Sequence, residues 1–215
     1  MYLAIGDISG QYKALLDLLS KAPNNLKPLS VGDMVDRGPE SSNVISYIKT
    51  SGEALLGNHE HMMLDYYNKT GLYLDDVWDY NGGVSTRSSY QGKDHKLKEH
   101  LTWLRMLPLH IEYKNYYISH APFSSECKTL DEKIWNRYFK WELKDKICIF
   151  GHNASDEAKI YTSRYPFGLK LSKYKELKEV EDIGEIWAVC LDSSSGKKLT
   201  GLDLDTFEFY EQEYV

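Results

Sequence analysis

No run of apolar residues in this chain approaches the roughly 18 needed to cross a bilayer as a helix, so a membrane-spanning helix is not expected. Cysteine is scarce. Cys127, Cys148 and Cys190 are the only three, with no C-x-x-C spacing, which points to a reducing compartment rather than a disulfide framework. Cys148 and Cys190 sit inside apolar runs and are expected as small buried hydrophobes. Positive charge is not in excess either: the net charge of −6 argues against bulk nucleic-acid binding. Internal repeats, low-complexity tracts and linkers are missing, so residues 1–215 are expected to form one domain. An acidic residue, Asp7, follows the opening Met1–Ile5 at once, so no secretory signal is expected and the cytoplasm is the expected location.

What is present is enough for one core, since 42% of 215 residues are hydrophobic and 27% charged. Tyr2–Ile5 reads as a buried strand, Gln11–Ser20 as a helix, Leu29–Val31 as a strand, Ser41–Thr50 as a helix and Glu53–Leu56 as a strand. Strands alternating with helices imply an α/β sheet, and ligand sites in such sheets gather at the carboxyl ends of the strands. Polar clusters stand at all three of these ends: Gly6–Gly10, Gly32–Gly38 and Gly57–Glu60.

His61–Leu107 reads as mostly helical, interrupted at Asn81-Gly82-Gly83. From Ile111 the texture turns to strands. Tyr116–Ser119 runs into His120, Lys146–Phe150 into Gly151-His152, and Ile186–Leu191 into Asp192. Leu199–Leu204 and Phe207–Tyr210 read as a closing hairpin, and the Lys-rich 158–182 stretch as a mobile connection or cleft wall.

Asp33 and Asp36 cannot both be buried as bare carboxylates, because an unpaired buried charge costs several kcal/mol. Either Arg37 or metal ions must offset them, and the number of other ligand types favours metal. Carboxylates, an amide and imidazoles (Asp7, Asp33, Asp36, Asn58, His59, His120 and His152) suit Mn, Fe, Zn or Mg rather than a structural thiolate zinc. Such sets hold two-metal centres that drive phosphoryl transfer. Arg37 adds the planar fork that grips phosphate oxygens.

Five ordered blocks now carry a resemblance: Gly6-Asp-Ile-Ser-Gly10, Gly32-Asp-Met-Val-Asp-Arg-Gly38, Gly57-Asn-His-Glu60, Ser119-His-Ala121 and Phe150-Gly-His152. They resemble those of the PPP-type metallophosphatases, within the calcineurin-like phosphoesterase superfamily, across nearly the whole chain. Asn81-Gly82-Gly83 with Thr86 and Tyr90, and Leu104–Pro108, resemble its bacterial and phage serine/threonine phosphatase branch. The resemblance implies an α/β fold, a central β-sandwich flanked by helices in four αββα layers. It also implies two divalent metal ions, Mn ahead of Fe, Zn, Mg or Ni, in the cytoplasm of a bacterial or phage-infected cell.

By the same resemblance, Asp7 would bind the first ion and Asp33 would bridge, with Asn58, His120 and His152 holding the second ion. His59 would be the general acid, held protonated by Asp36. Arg37, Asn58 and, further on, Arg137 would bind the phosphoryl oxygens. The implied reaction is in-line attack on a phosphate ester by a hydroxide held at the dimetal centre.

One position departs. The family block reads Gly-Asp-x-His-Gly, and here Ser9 stands where that His ligand is expected, so the first site should bind its ion weakly. The expected partner is a phosphorylated protein or peptide, or a small phosphate ester, and no membrane. A dinucleoside polyphosphate hydrolase or RNA-end phosphatase is the alternative on the same centre. In a further alternative, Ser9 marks a catalytically weakened phosphate-binding protein. His59, needed for turnover rather than binding, argues against that. His61, His95, His100 and His110 are expected outside the site, and Asp192 as a turn cap.

Overall fold

The computed structural model describes residues 1–73 and 75–214; of the span read as helical, residue 74 lies outside them. Two sheets face each other. The first has the order β11-β10-β1-β2-β3 and the second β4-β5-β6-β9-β7-β8.

In the first sheet β1 (Tyr2–Ile5), β2 (Lys27–Ser30) and β3 (Glu53–Ala54) run parallel. The helices α1 (Tyr12–Lys21) and α2 (Ser41–Ser51) connect them, as parallel strands require. Successive side chains of β1 alternate. Leu3 and Ile5 pack with Leu15, Leu18, Ile45 and Ile48 of the helices, while Ala4 turns to the second sheet. The expected hairpin closes this sheet, with β10 (Lys198–Asp203) antiparallel to both β1 and β11 (Phe209–Glu213).

The second sheet contains β4 (His110–Tyr113), β5 (Tyr116–Ser119), β6 (Ile147–Phe150), β7 (Lys159–Thr162), β8 (Leu169–Lys170) and β9 (Ile186–Cys190). Strands β5, β6 and β9 are parallel and central. Ile118, Ile149, Ile160, Val189 and Leu191 meet Ala4, Leu29, Val31 and Leu202 between the sheets. Burying these faces removes the apolar area that drives folding.

The helical stretch resolves into α3 (Asn58–Asn68), α4 (Asp75–Tyr80), α5 (Gly83–Ser89) and α6 (Asp94–Leu104), with α7 (Leu130–Trp135) packed against α3. Of the two readings of the Lys-rich stretch, mobile connection or cleft wall, the structure overturns the first: it holds β7, β8 and α8 (Leu171–Leu177). Its lysines conceal single apolar anchors, Ile160, Leu169, Leu171 and Tyr174, each buried in the inter-sheet core. Strands β8 and β4 lie at the edges of the second sheet, and charged side chains there discourage pairing with another chain. No helix among the described residues is long and apolar enough to cross a membrane.

Candidate metal centre

Every cluster read from the sequence lies just past a strand, and both sheets deliver them to one end. The turns after β1 and β2 are tied together: Ser9 N donates to Asp33 O (2.8 Å), Gly10 N to Met34 O (2.9 Å) and Gly38 N to Ser9 O (2.9 Å). Ser9, Asp33, Asp36 and Arg37 have φ of 48°, 53°, 72° and 63°. Non-glycine residues adopt this left-handed region at a cost of about 1–3 kcal/mol each, and hold it only where their surroundings over-determine it. Here the bonds between the turns do so.

Glu60, in the first turn of α3, is the hub. Its carboxylate accepts from the backbone N–H groups of Asp33 (2.8 Å), Met34 (2.7 Å), Val35 (3.3 Å) and Gly57 (3.0 Å). It thus locks the β2 turn to the start of the helix that carries Asn58 and His59.

Asp33, His120 and His152 present ligand atoms all within 4.8 Å of one another, and all three residues are buried. Asn58 Oδ1 lies 2.8 Å from His120 Nε2 and 2.9 Å from His152 Nδ1. His120 Nδ1 donates to the Val31 carbonyl (3.1 Å), which leaves a lone pair on Nε2. Burial holds His120 below the usual histidine range, and pushes His152 down to about 3. His120 Nε2 therefore meets Asn58 Oδ1 and, at 3.4 Å, Asp33 Oδ1 as one acceptor among others. His120 Nε2, Asn58 Oδ1 and Asp33 Oδ1 crowd as acceptors and repel one another, and a cation among them removes the conflict. His152 Nε2 adds a buried polar atom with no hydrogen-bond partner. The donor set fits a divalent ion of the Mn, Fe or Zn kind.

Asp7 reaches the same end from β1. Its Oδ1 accepts from His152 N (3.1 Å) and lies over Gly151, where an added Cβ would come within 2.2 Å of it. Burial, then the neighbouring charges of Asp192 and Asp33, hold the Asp7 carboxyl well above its ordinary range. Asp33 is held low instead: burial alone would raise it, and the surrounding histidines reverse the effect. Carboxylates crowded in this way also fit a cation.

Asp36 needs no metal. It is fully buried, and its carboxylate accepts from Trp78 Nε1 (2.9 Å), Thr86 Oγ1 (2.6 Å) and His59 Nδ1 (2.7 Å). The choice posed by the sequence, guanidinium or metal, is met here by neutral donors and an imidazole. Burial alone would lower the His59 pKa; Asp33 and the bond to Asp36 outweigh it, and the pKa is raised. Arg37 is exposed at the rim, with Nη2 3.1 Å from His59 Nε2. Arg137 Nη1 donates to the His152 carbonyl (3.0 Å), so it also borders the cluster.

Four other histidines lie elsewhere. His100 is buried against Tyr90 and Ser46, His61 meets Tyr73, and His95 and His110 are exposed. Asp192, expected as a turn cap, is one: its carboxylate accepts from Ser194 N (3.1 Å). Two residues here escaped the sequence reading. The N3 position of Glu60 just past a strand end marks it as a cap, but its grip on the β2 turn is tertiary. Trp78 gave no signal, because its partner Asp36 is 42 residues away.

Two facing sheets with a carboxylate–amide–imidazole cluster at one end define a metallophosphoesterase. The chain belongs to the calcineurin-like phosphoesterase family, whose model matches residues 2–181. It is 34% identical over 204 residues to serine/threonine-protein phosphatase 2 of Escherichia coli, covering 80% of this chain and 90% of that one. It is also 26% identical over 159 residues to the symmetrical bis(5'-nucleosyl)-tetraphosphatase of Vibrio vulnificus, covering 67% and 56%. Among solved structures it resembles a metallophosphoesterase from Sphaerobacter thermophilus, with TM-score 0.64 and 16% identity, covering 100% of this chain and 89% of that one. Two of the curated relatives are longer than the shared stretch: the chain spans 66% and 56% of their lengths.

Proposed function

We propose that this protein is a metal-dependent phosphomonoesterase acting on phosphoserine and phosphothreonine. One observation carries the reading. His59 Nε2 and Arg37 Nη2 stand 3.1 Å apart at the rim of the buried cluster, the guanidinium donating to the ring nitrogen. A phosphate oxygen that takes over that donor frees Nε2 to carry the proton that the raised His59 pKa favours.

Asp33, Asn58, His120 and His152 would hold one divalent ion, and Asp7 with Asp33 the other. When bound, such ions act as Lewis acids on phosphoryl oxygens and lower the pKa of a water so that it can attack at neutral pH. The chain's own groups do the rest. Arg37, Asn58 and Arg137 orient the phosphoryl group, the guanidinium of Arg37 pairing with two of its oxygens. His59 carries a proton at Nε2 and gives it to the leaving alkoxide. Asp36 accepts from Nδ1, fixes the ring, and is itself fixed by Trp78 and Thr86.

The phosphoprotein reading draws support from the E. coli phosphatase, which is matched over nearly its whole length. The tetraphosphatase relative supports a second reading, cleavage of dinucleoside polyphosphates. Assays with a phosphothreonine peptide, p-nitrophenyl phosphate and diadenosine tetraphosphate, each with and without Mn, separate the two. The proposal expects Mn-dependent turnover of the peptide to exceed that of the dinucleotide. Preference for the dinucleotide would replace it with the second reading.

A further inference from the structure

Of the three residues assigned to the phosphoryl group, Arg37 and Asn58 sit just past strands β2 and β3, and Arg137 does not. Arg137 lies two residues beyond α7 and is exposed. A guanidinium on a loose segment gives up backbone and rotamer freedom each time it grips an anion, and that loss weakens binding. The segment around Arg137 is not loose.

Its bonds run to the turns after β5 and β6, which carry the two imidazoles of the cluster. Asn136 Nδ2 donates to the carbonyl of Pro122 (2.8 Å), two residues past His120. Trp135 sets its ring edge-on to His152, with centroids 5.8 Å apart and planes at 87°, and its Nε1 donates to the Tyr73 hydroxyl (2.9 Å). At Arg137 the bonds are reciprocal. Arg137 Nη1 donates to the His152 carbonyl (3.0 Å), and Asn153 Nδ2, from the next residue of that turn, donates to the Arg137 carbonyl (2.9 Å). The other N–H groups of the guanidinium make no hydrogen bond among the described residues, so they remain for a phosphoryl oxygen.

Asn153 carries a local cost in this arrangement. Its Oδ1 is buried and has no hydrogen-bond partner, and a buried carbonyl left unpaired is unfavourable. An apolar side chain here would avoid that cost but would leave the Arg137 backbone untied. We propose that Asn153 is a positioning residue for phosphate binding: its amide holds the Arg137 backbone against the His152 turn, so that the guanidinium meets the phosphoryl oxygens already ordered. This rests on the assignment of Arg137 to the phosphoryl group, and not on the class of ester cleaved.

Equilibrium dialysis of labelled inorganic phosphate against the Mn-loaded protein reads phosphate affinity without turnover. Arg137→Ala should weaken phosphate about 10- to 100-fold, the range for a hydrogen bond to a charged group. Asn153→Ala should weaken it about two- to tenfold, as for one neutral bond. The double variant should match Arg137→Ala within about twofold, because an amide that acts through Arg137 then has nothing to position. A merely structural asparagine would instead add its own loss. Bound Mn and the melting temperature of Asn153→Ala should stay close to those of the unmodified protein, since truncation removes the unpaired oxygen together with the bond; Asn153→Ser serves if the alanine variant does not fold. Additive losses, an unchanged phosphate affinity in Asn153→Ala, or loss of Mn from it would overturn the proposal. An unchanged affinity in Arg137→Ala would overturn it together with the role given to Arg137. Because inorganic phosphate is the probe, a wrong substrate class fails separately, in the ester assays.

Discussion

The two halves of the buried cluster differ in what the chain supplies. On the His120 side, Asp33, Asn58, His120 and His152 come from four separate strand ends, with ligand atoms gathered within a few ångströms. Two of those ligands are neutral imidazoles, one already oriented by the Val31 carbonyl. On the Asp7 side the turn offers one carboxylate and a serine hydroxyl, and burial, then charge repulsion, opposes ionisation. The difference shows that one end is preorganised for an ion, while the other depends on the ion to relieve its own repulsion. Orientation of a ligand by a second hydrogen bond is itself a contribution to affinity.

The largest effect should follow from removing the proton donor that serves both halves. His59→Gln should lower kcat by about 10²–10⁴ while both ions still bind; steady-state kinetics with metal analysis checks it, and loss of metal would move His59 into the ligand set. Arg37→Ala should cost about 10²–10³ in rate with an unchanged melting temperature, since an exposed loop guanidinium adds little to the core. An unchanged rate would remove Arg37 from the site.

Asp36→Asn sharpens the division between proton delivery and metal binding. His59 is held above its ordinary pKa, so its proton is present at lower pH and lost as pH rises through the raised value. Weakening the bond from Asp36 lowers that value, so the alkaline limb of the kcat–pH profile should move to lower pH, with little change in Mn affinity. An unmoved limb would mean that another group sets it. The smallest effect on turnover at saturating Mn should come from Ser9→His, which should shift the Mn activation curve to lower concentration. A curve unchanged in position would mean that water already fills the place of the imidazole.

Much of this was legible in the sequence because each ligand directly follows a strand. An apolar run that ends in Gly-Asp, Asn-His or His exposes its polar residue wherever the sheet ends, so Asp7, Asp33, His120 and His152 could be read one by one. What the sequence hid depends on contact between distant elements. Glu60 holds the β2 turn through three backbone bonds, and Trp78 grips Asp36 from a helix whose own pattern is ordinary. The Lys-rich stretch misled because one apolar residue every few positions is enough to anchor an edge strand and a short helix.

The measurement that bears most directly on the unequal halves is a Mn titration into crystals of the metal-free protein, with occupancy at each position read by anomalous scattering. The position among Asp33, Asn58, His120 and His152 should fill first, and the one beside Asp7 only at higher Mn. Simultaneous filling, or filling of the Asp7 side first, would contradict it.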